Sequence, residues 1–185
     1  WKRLTKTIDL TGQSGGTLEF WANWNTENNW DWMVVEAHTV GQDDWTTLPD
    51  LNGHTNSETG ESCPAGDDYF ALHPHARHYL TRTGAGTHAD PWVCAPGGTP
   101  GQWHRAGGNS GGYQQWKVDL SQFAGKQVEV SISMISDWSF DVIPGILVDD
   151  VRVTRGSTVE ETSFEDGNGG WAVRGGPGGA VNGND

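Results

Sequence analysis

The chain has 185 residues, 34% of them apolar, with 24 carboxylates against 11 Lys and Arg for a formal net charge of −13. That length suits one β-sandwich or barrel domain, able to bury roughly 70% of its unfolded surface. The charge argues against nucleic acid and anionic membranes as partners, since both demand clustered cations; no apolar run approaches the roughly 18 residues of a membrane span and no charged-then-apolar leader opens the sequence.

Gly occurs 27 times and Trp 11 times. Gly supplies the positive φ angles of tight turns, so the composition predicts short strands joined by Gly-rich turns, with almost no helix. In chain order, Leu4 and Ile8 mark a first strand. Leu18, Phe20, Ala22 and Trp24 mark a second, and Trp30, Trp32 and Val34 up to Glu36 a third, all with the alternation of half-buried strands. Between Gly41 and Gly112 the period then fades, only Trp45 to Leu48 and Tyr69 to Leu72 reading as strand, and about residues 49–112 form a long excursion. Regularity returns at Tyr113 to Leu120, at Val128, Val130, Ile132 and Met134, and at Ile146 to Val153. It is weaker around Val159 to Phe164 and Trp171 to Val173, before a Gly-rich end at 175–185.

An excursion of that length needs a staple. Cys63 and Cys94 lie inside it, in Gly-, Pro- and Asp-rich sequence where free thiols would be exposed to oxidation. A disulfide is the simpler reading and two separate thiols the alternative; a bridge closing about thirty residues contributes roughly 3 to 4 kcal/mol and implies an oxidising, extracellular compartment.

One internal similarity bears on architecture. Asp9-Leu10-Thr11, Gly15 and Leu18-Glu19-Phe20 match Asp119-Leu120-Ser121, Gly125 and Val128-Glu129-Val130 at a constant offset of 110 residues. Two equivalent strand–turn–strand units suit a pseudo-symmetric jelly roll, coincidence among common turn residues being the alternative.

The order of several short motifs resembles the jelly-roll module of immune inhibitor A-type metallopeptidases, a MAM-like accessory module similar to those appended to secreted bacterial zinc carboxypeptidases. The motifs are Lys2-Arg3-Leu4-Thr5, Leu18-Glu19-Phe20-Trp21, Trp30-Asp31-Trp32 with Val35-Glu36, Val148-Asp149-Asp150-Val151, and Phe164-Glu165-Asp166-Gly167 with Gly170-Trp171. The resemblance, over about residues 1–175, implies an all-β, jelly-roll β-sandwich of two antiparallel sheets, with 1–185 read as a single domain, and a calcium ion between the Phe-Glu segment and the Asp-Asp strand. The Phe-Glu-x-Gly element follows the Asp-Asp strand here, whereas it opens many MAM-like domains.

The residues themselves give candidate sites. Asp149 and Asp150 interrupt an apolar strand, so alternation turns at least one carboxylate inward; a hard cation relieves that cost, with Glu165 and Asp166 as further ligands. Solvated surface acids are the alternative. A second acidic set, Glu27, Asp31 and Glu36, surrounds the Trp-rich segment and either ligates metal or accepts from loop amides. Trp24, Trp30 and Trp32 share a parity, making them either core or a stacking platform for polysaccharide. His73, His75 and His78 form a His-x-His-x-x-His run that superficially resembles a zinc site but contains Pro74 and lacks a second ligand cluster. Gly108-Asn109-Ser110-Gly111-Gly112 resembles a serine-protease nucleophile loop, yet no base-bearing motif accompanies it.

These readings converge on a secreted, non-catalytic, calcium-stabilised accessory module, with a parent peptidase catalytic domain or its protein substrate as partner. A carbohydrate-binding module and a hydrolase using Ser110 are the alternatives.

Overall fold

A computed structural model describes residues 1–65, 69–137 and 143–177; the expected Gly-rich end lies mostly outside them. The chain is an all-β jelly-roll sandwich. A five-stranded antiparallel sheet has the order β11-β1-β8-β3-β4, built from β1 (Lys2–Asp9), β3 (Trp32–Thr39), β4 (Thr46–Leu48), β8 (Gln127–Ile135) and β11 (Ala172–Gly175). A four-stranded sheet has the order β10-β9-β2-β7, from β2 (Thr17–Asn25), β7 (Gln114–Asp119), β9 (Gly145–Arg155) and β10 (Thr158–Thr162).

Alternation builds the core between them. On β2, Leu18, Phe20, Ala22 and Trp24 face inward, against Trp116 and Val118 of β7 and Val128, Val130 and Ile132 of β8. Trp116 stacks on Phe20 and meets Trp24 edge-on, with centroids 5.5 and 5.6 Å apart. Such aromatic pairs contribute about 0.5–1.5 kcal/mol beyond their burial.

The offset of 110 residues is a pseudo-two-fold in the backbone. Leu10 N–H donates to Lys126 O at 2.8 Å and Leu120 N–H to Gly16 O at 2.9 Å, each residue shifted by the same offset. Both turns begin alike, since the Asp9 carboxylate caps Thr11 N–H and the Asp119 carboxylate caps Ser121 N–H, each at 2.9 Å.

β3 departs from the expected half-buried pattern. Met33, Val35 and Ala37 face the sandwich, whereas Trp32, Val34 and Glu36 face the other way and are equally buried. What covers them is the excursion. It contains α1 (Ser62–Ala65), α2 (Tyr69–Leu72), a 3₁₀ turn at Pro74–His78 and the hairpin of β5 (Leu80–Thr83) and β6 (Val93–Pro96). Tyr69–Leu72, expected as strand, is a single helical turn that buries Tyr69 and Phe70. Tyr69, Phe70, Tyr79, Leu80 and Trp103 pack with Trp1, Trp32, Val34 and Ile135 into a second core on the outer side of the five-stranded sheet. The Cys63–Cys94 disulfide ties α1 to β6 and so closes this layer on itself.

Candidate functional site

The excursion covers one outer face of the sandwich; the outer face of the four-stranded sheet carries a cleft. β2 turns Glu19 and Trp21 outward. Glu19 stands between Lys117 of β7 and Arg152 of β9, and Arg152 faces Glu161 of β10, giving a row of alternating charge across the sheet. Two ion pairs hold the row, Lys117–Glu19 and Arg152–Glu161. In the next row Trp21 lies between Gln115 and Asp149.

The cleft opens because β9 carries a bulge. Glu19 pairs with Arg152 and Trp21 with Asp149, leaving Asp150 and Val151 opposite Phe20 alone. The extra residue reverses the alternation: Val151 is buried in the core and Asp150 is exposed, with a positive φ of 47°. The segment after β10 forms the wall, and Phe164 also has a positive φ, 65°. Gly169 (φ 54°) lies so close that a Cβ there would meet the Thr162 side chain at 2.7 Å. Left-handed backbone at Asp and Phe costs about 1–3 kcal/mol each and tends to collect at binding sites. The resulting space of about 730 Å³ is lined by Trp21, Gln115, Glu19, Asp150, Arg152, Glu161 and Asp166, with Thr162, Ser163, Gly167 and Gly169 on the wall side. Trp21 is 40% exposed there.

The first expected calcium set is partly assembled. The bulge overturns the expectation that alternation buries one of the adjacent acids: Asp150 is exposed, and Asp149 is half-buried and accepts the Asp150 N–H at 2.7 Å. Asp150 and Asp166 share the cleft, while Glu165 is exposed and does not line it. Among the described residues no three His, Cys, Asp or Glu side chains form a metal-holding group.

The second set divides, Glu27 and Asp31 staying together and Glu36 lying apart. Asp31 is fully buried, accepting N–H from Asp137 at 3.1 Å and from Glu27 at 3.4 Å. Glu27 Oε2 is buried with no hydrogen-bond partner among the described residues, in a turn whose backbone bonds the buried Asp31 carboxylate. Burial, and after it the charges of Asp31 and Asp137, raises the Tyr69 phenol pKa. Tyr69 of α2 therefore lies near Asp31 and Asp137.

Glu36, the third member, has a different task. It is wholly buried beneath the excursion and accepts from Tyr79 OH at 2.7 Å, Ser133 Oγ at 2.7 Å and Trp1 Nε1 at 3.2 Å. Desolvation raises its pKa, opposed by those three donors and the Arg3 charge. His75 Nε2 donates onward to Tyr79 OH at 3.1 Å, and Trp1 meets His73 and His75 edge-on.

The His run dissolves into separate anchors. His73 Nε2 donates to Ser136 O at 2.7 Å, and His78 reaches the His75 carbonyl and Asp43. Ser110 is equally occupied: its Oγ takes the Trp24 N–H at 3.0 Å and lies 2.8 Å from Gly112 O and 3.0 Å from Asn23 Oδ1. That is the bonding of a turn anchor, with no histidine among its partners.

Of the two readings of Trp24, Trp30 and Trp32, core or platform, the structure gives core for Trp24 and Trp32. Trp24 lies in the sandwich core, Trp32 lies under the excursion, and Trp30 is half-buried in the turn before β3. Shared parity fails because these residues lie on two sheets and a connecting turn. The outward aromatic is Trp21, and its signal was in the alternation: if Phe20 and Ala22 point in, Trp21 points out. No family model and no curated protein matches the chain.

Proposed function

We propose that the chain is a non-catalytic accessory module of a secreted hydrolase, a peptidase by the motif resemblance, and that it holds ligand on the outer face of its four-stranded sheet. The observation that carries this reading is the asymmetry of the two faces. The outer face of the five-stranded sheet is buried beneath the excursion, whereas the other presents a cleft of about 730 Å³ with an exposed indole and two strained backbone positions beside it. The disulfide fits an oxidising, extracellular setting, and no described helix is long and apolar enough to cross a membrane.

Calcium enters the proposal through Glu27 and Asp31, whose buried oxygens suit a hard cation; it would supply structural charge neutralisation, with carbonyls and water needed for the rest of its six to eight oxygens. Ser110 and the His run take no catalytic part.

Turnover assays test the central statement. The isolated chain is expected to hydrolyse fluorogenic peptides, esters and glycosides no faster than blank, and Ser110→Ala to behave identically; turnover abolished by Ser110→Ala would make the protein an enzyme.

A further inference from the structure

Resting on the reading of this face as the working surface, we infer that the cleft beside Trp21 binds a neutral pyranose glycan. The chemistry of its lining selects that class. An indole 40% exposed on a sheet face offers a flat apolar surface of the size of one sugar ring. Around it stand planar polar groups, and the Gln115 amide and the Asp150 and Asp166 carboxylates make no side-chain hydrogen bond to any described residue, so they are available to hydroxyls. A ligand matching this site has one flat C–H face and a rim of hydrogen-bonding groups, which describes a pyranose.

A peptide fits less well. The cleft lies on the face of the sheet: β2 and β9 are paired on both sides, and the outer edge of β7 is taken by the segment 50–54, which bonds Lys117 N–H and O and Gln115 O, so these strands offer no unpaired edge for an added peptide strand. Nor does it provide a deep apolar pocket for a side chain, because Phe20 and Val151 are buried in the core below it. Charge narrows the class further. Glu19 is paired with Lys117 and Glu161 with Arg152, which leaves the Asp150 and Asp166 carboxylates uncompensated among the described lining residues. Uronate, sulfate and phosphate groups would therefore be repelled.

The test is isothermal titration of the intact, oxidised chain with soluble β-glucan, xylan, mannan and chitin oligosaccharides, each taken to about 10 mM so that a Kd of about 1 mM is still detected. At least one neutral series is expected to bind. Trp21→Ala should weaken it at least tenfold, Gln115→Ala severalfold, and Trp21→Phe, which retains a ring, less than Trp21→Ala. An oligogalacturonate should not bind. No binding by any neutral series would overturn the inference, as would binding that survives Trp21→Ala, preference for the oligogalacturonate, or Trp21-dependent binding of peptides alone. Melting curves of both Trp21 variants confirm folding. Failure here leaves the turnover test untouched, so the two readings fail separately.

Discussion

Acid should loosen the excursion through two buried histidines. His73 and His75 are 2% and 5% exposed, and burial lowers their pKa from 6.5 to about 4 and about 3, with the neighbouring His78 charge adding to the effect at His75. A histidine whose folded pKa is depressed contributes stability that is present above the unfolded value and lost as pH falls toward the folded one. Between pH 8 and pH 5 the unfolded chain takes up both protons while the native chain takes up almost none, which costs about 2 kcal/mol for each histidine. Glu36 acts in the opposite sense. Its raised pKa makes the native state the better proton acceptor, so acid relieves its burial cost. The variants separate these contributions. Urea melts at pH 8 and pH 5 should show the acid-induced loss shrinking by about 4 kcal/mol in His73→Phe/His75→Phe, because the pH-independent cost of the substitutions cancels between the two pH values. Glu36→Gln should enlarge the loss. An acid loss unchanged in the double histidine variant would mean that neither imidazole is held neutral in the fold.

Three further outcomes are expected. Removing the disulfide with Cys63→Ala/Cys94→Ala frees a 31-residue separation, which by chain entropy costs about 3.7 kcal/mol and lowers Tm by roughly 7–15 °C; thiol titration of unfolded, unreduced wild type should find no free Cys. A chelator should lower Tm by several degrees relative to 1 mM calcium, and Glu27→Gln should abolish the difference, equal melting in wild type counting against the cation. Ser110→Ala should cost about 1–2 kcal/mol in a denaturant melt, because it strands the Trp24 N–H, while leaving hydrolytic rates at blank level.

Much of the sandwich was legible because its strands alternate strictly. Leu18, Phe20, Ala22 and Trp24 on β2, and Val128, Val130 and Ile132 on β8, each repeat every second residue and each face the same core. The repeat at an offset of 110 residues was legible for the same reason, being carried by turn caps and flanking apolar pairs. What failed was local. Tyr69–Leu72 is only four residues long, too short for period to separate helix from strand, so aromatic content misled. The β5–β6 hairpin was invisible because Leu80–Thr83 and Val93–Pro96 rest on one disulfide and one packed face, without alternation. The bulge at Asp150 had no signal at all in the sequence, although it decides whether the adjacent acids point into the core or onto the cleft. The second layer over β3 needed knowledge of where the excursion lands: Glu36 reads as a metal ligand or an acceptor of loop amides, and its actual donor Tyr79 lies forty-three residues later in the chain.

Ligand is expected on the four-stranded sheet beside Trp21. Indole N–H signals of ¹⁵N-labelled protein, assigned by single Trp variants, test this placement directly during titration with the same neutral oligosaccharides. The Trp21 signal should move progressively, while those of the buried Trp24, Trp32, Trp103 and Trp116 stay fixed. A Trp21 signal that stays fixed at saturating oligosaccharide, or movement confined to Trp45 and Trp92 on the excursion side, would contradict it.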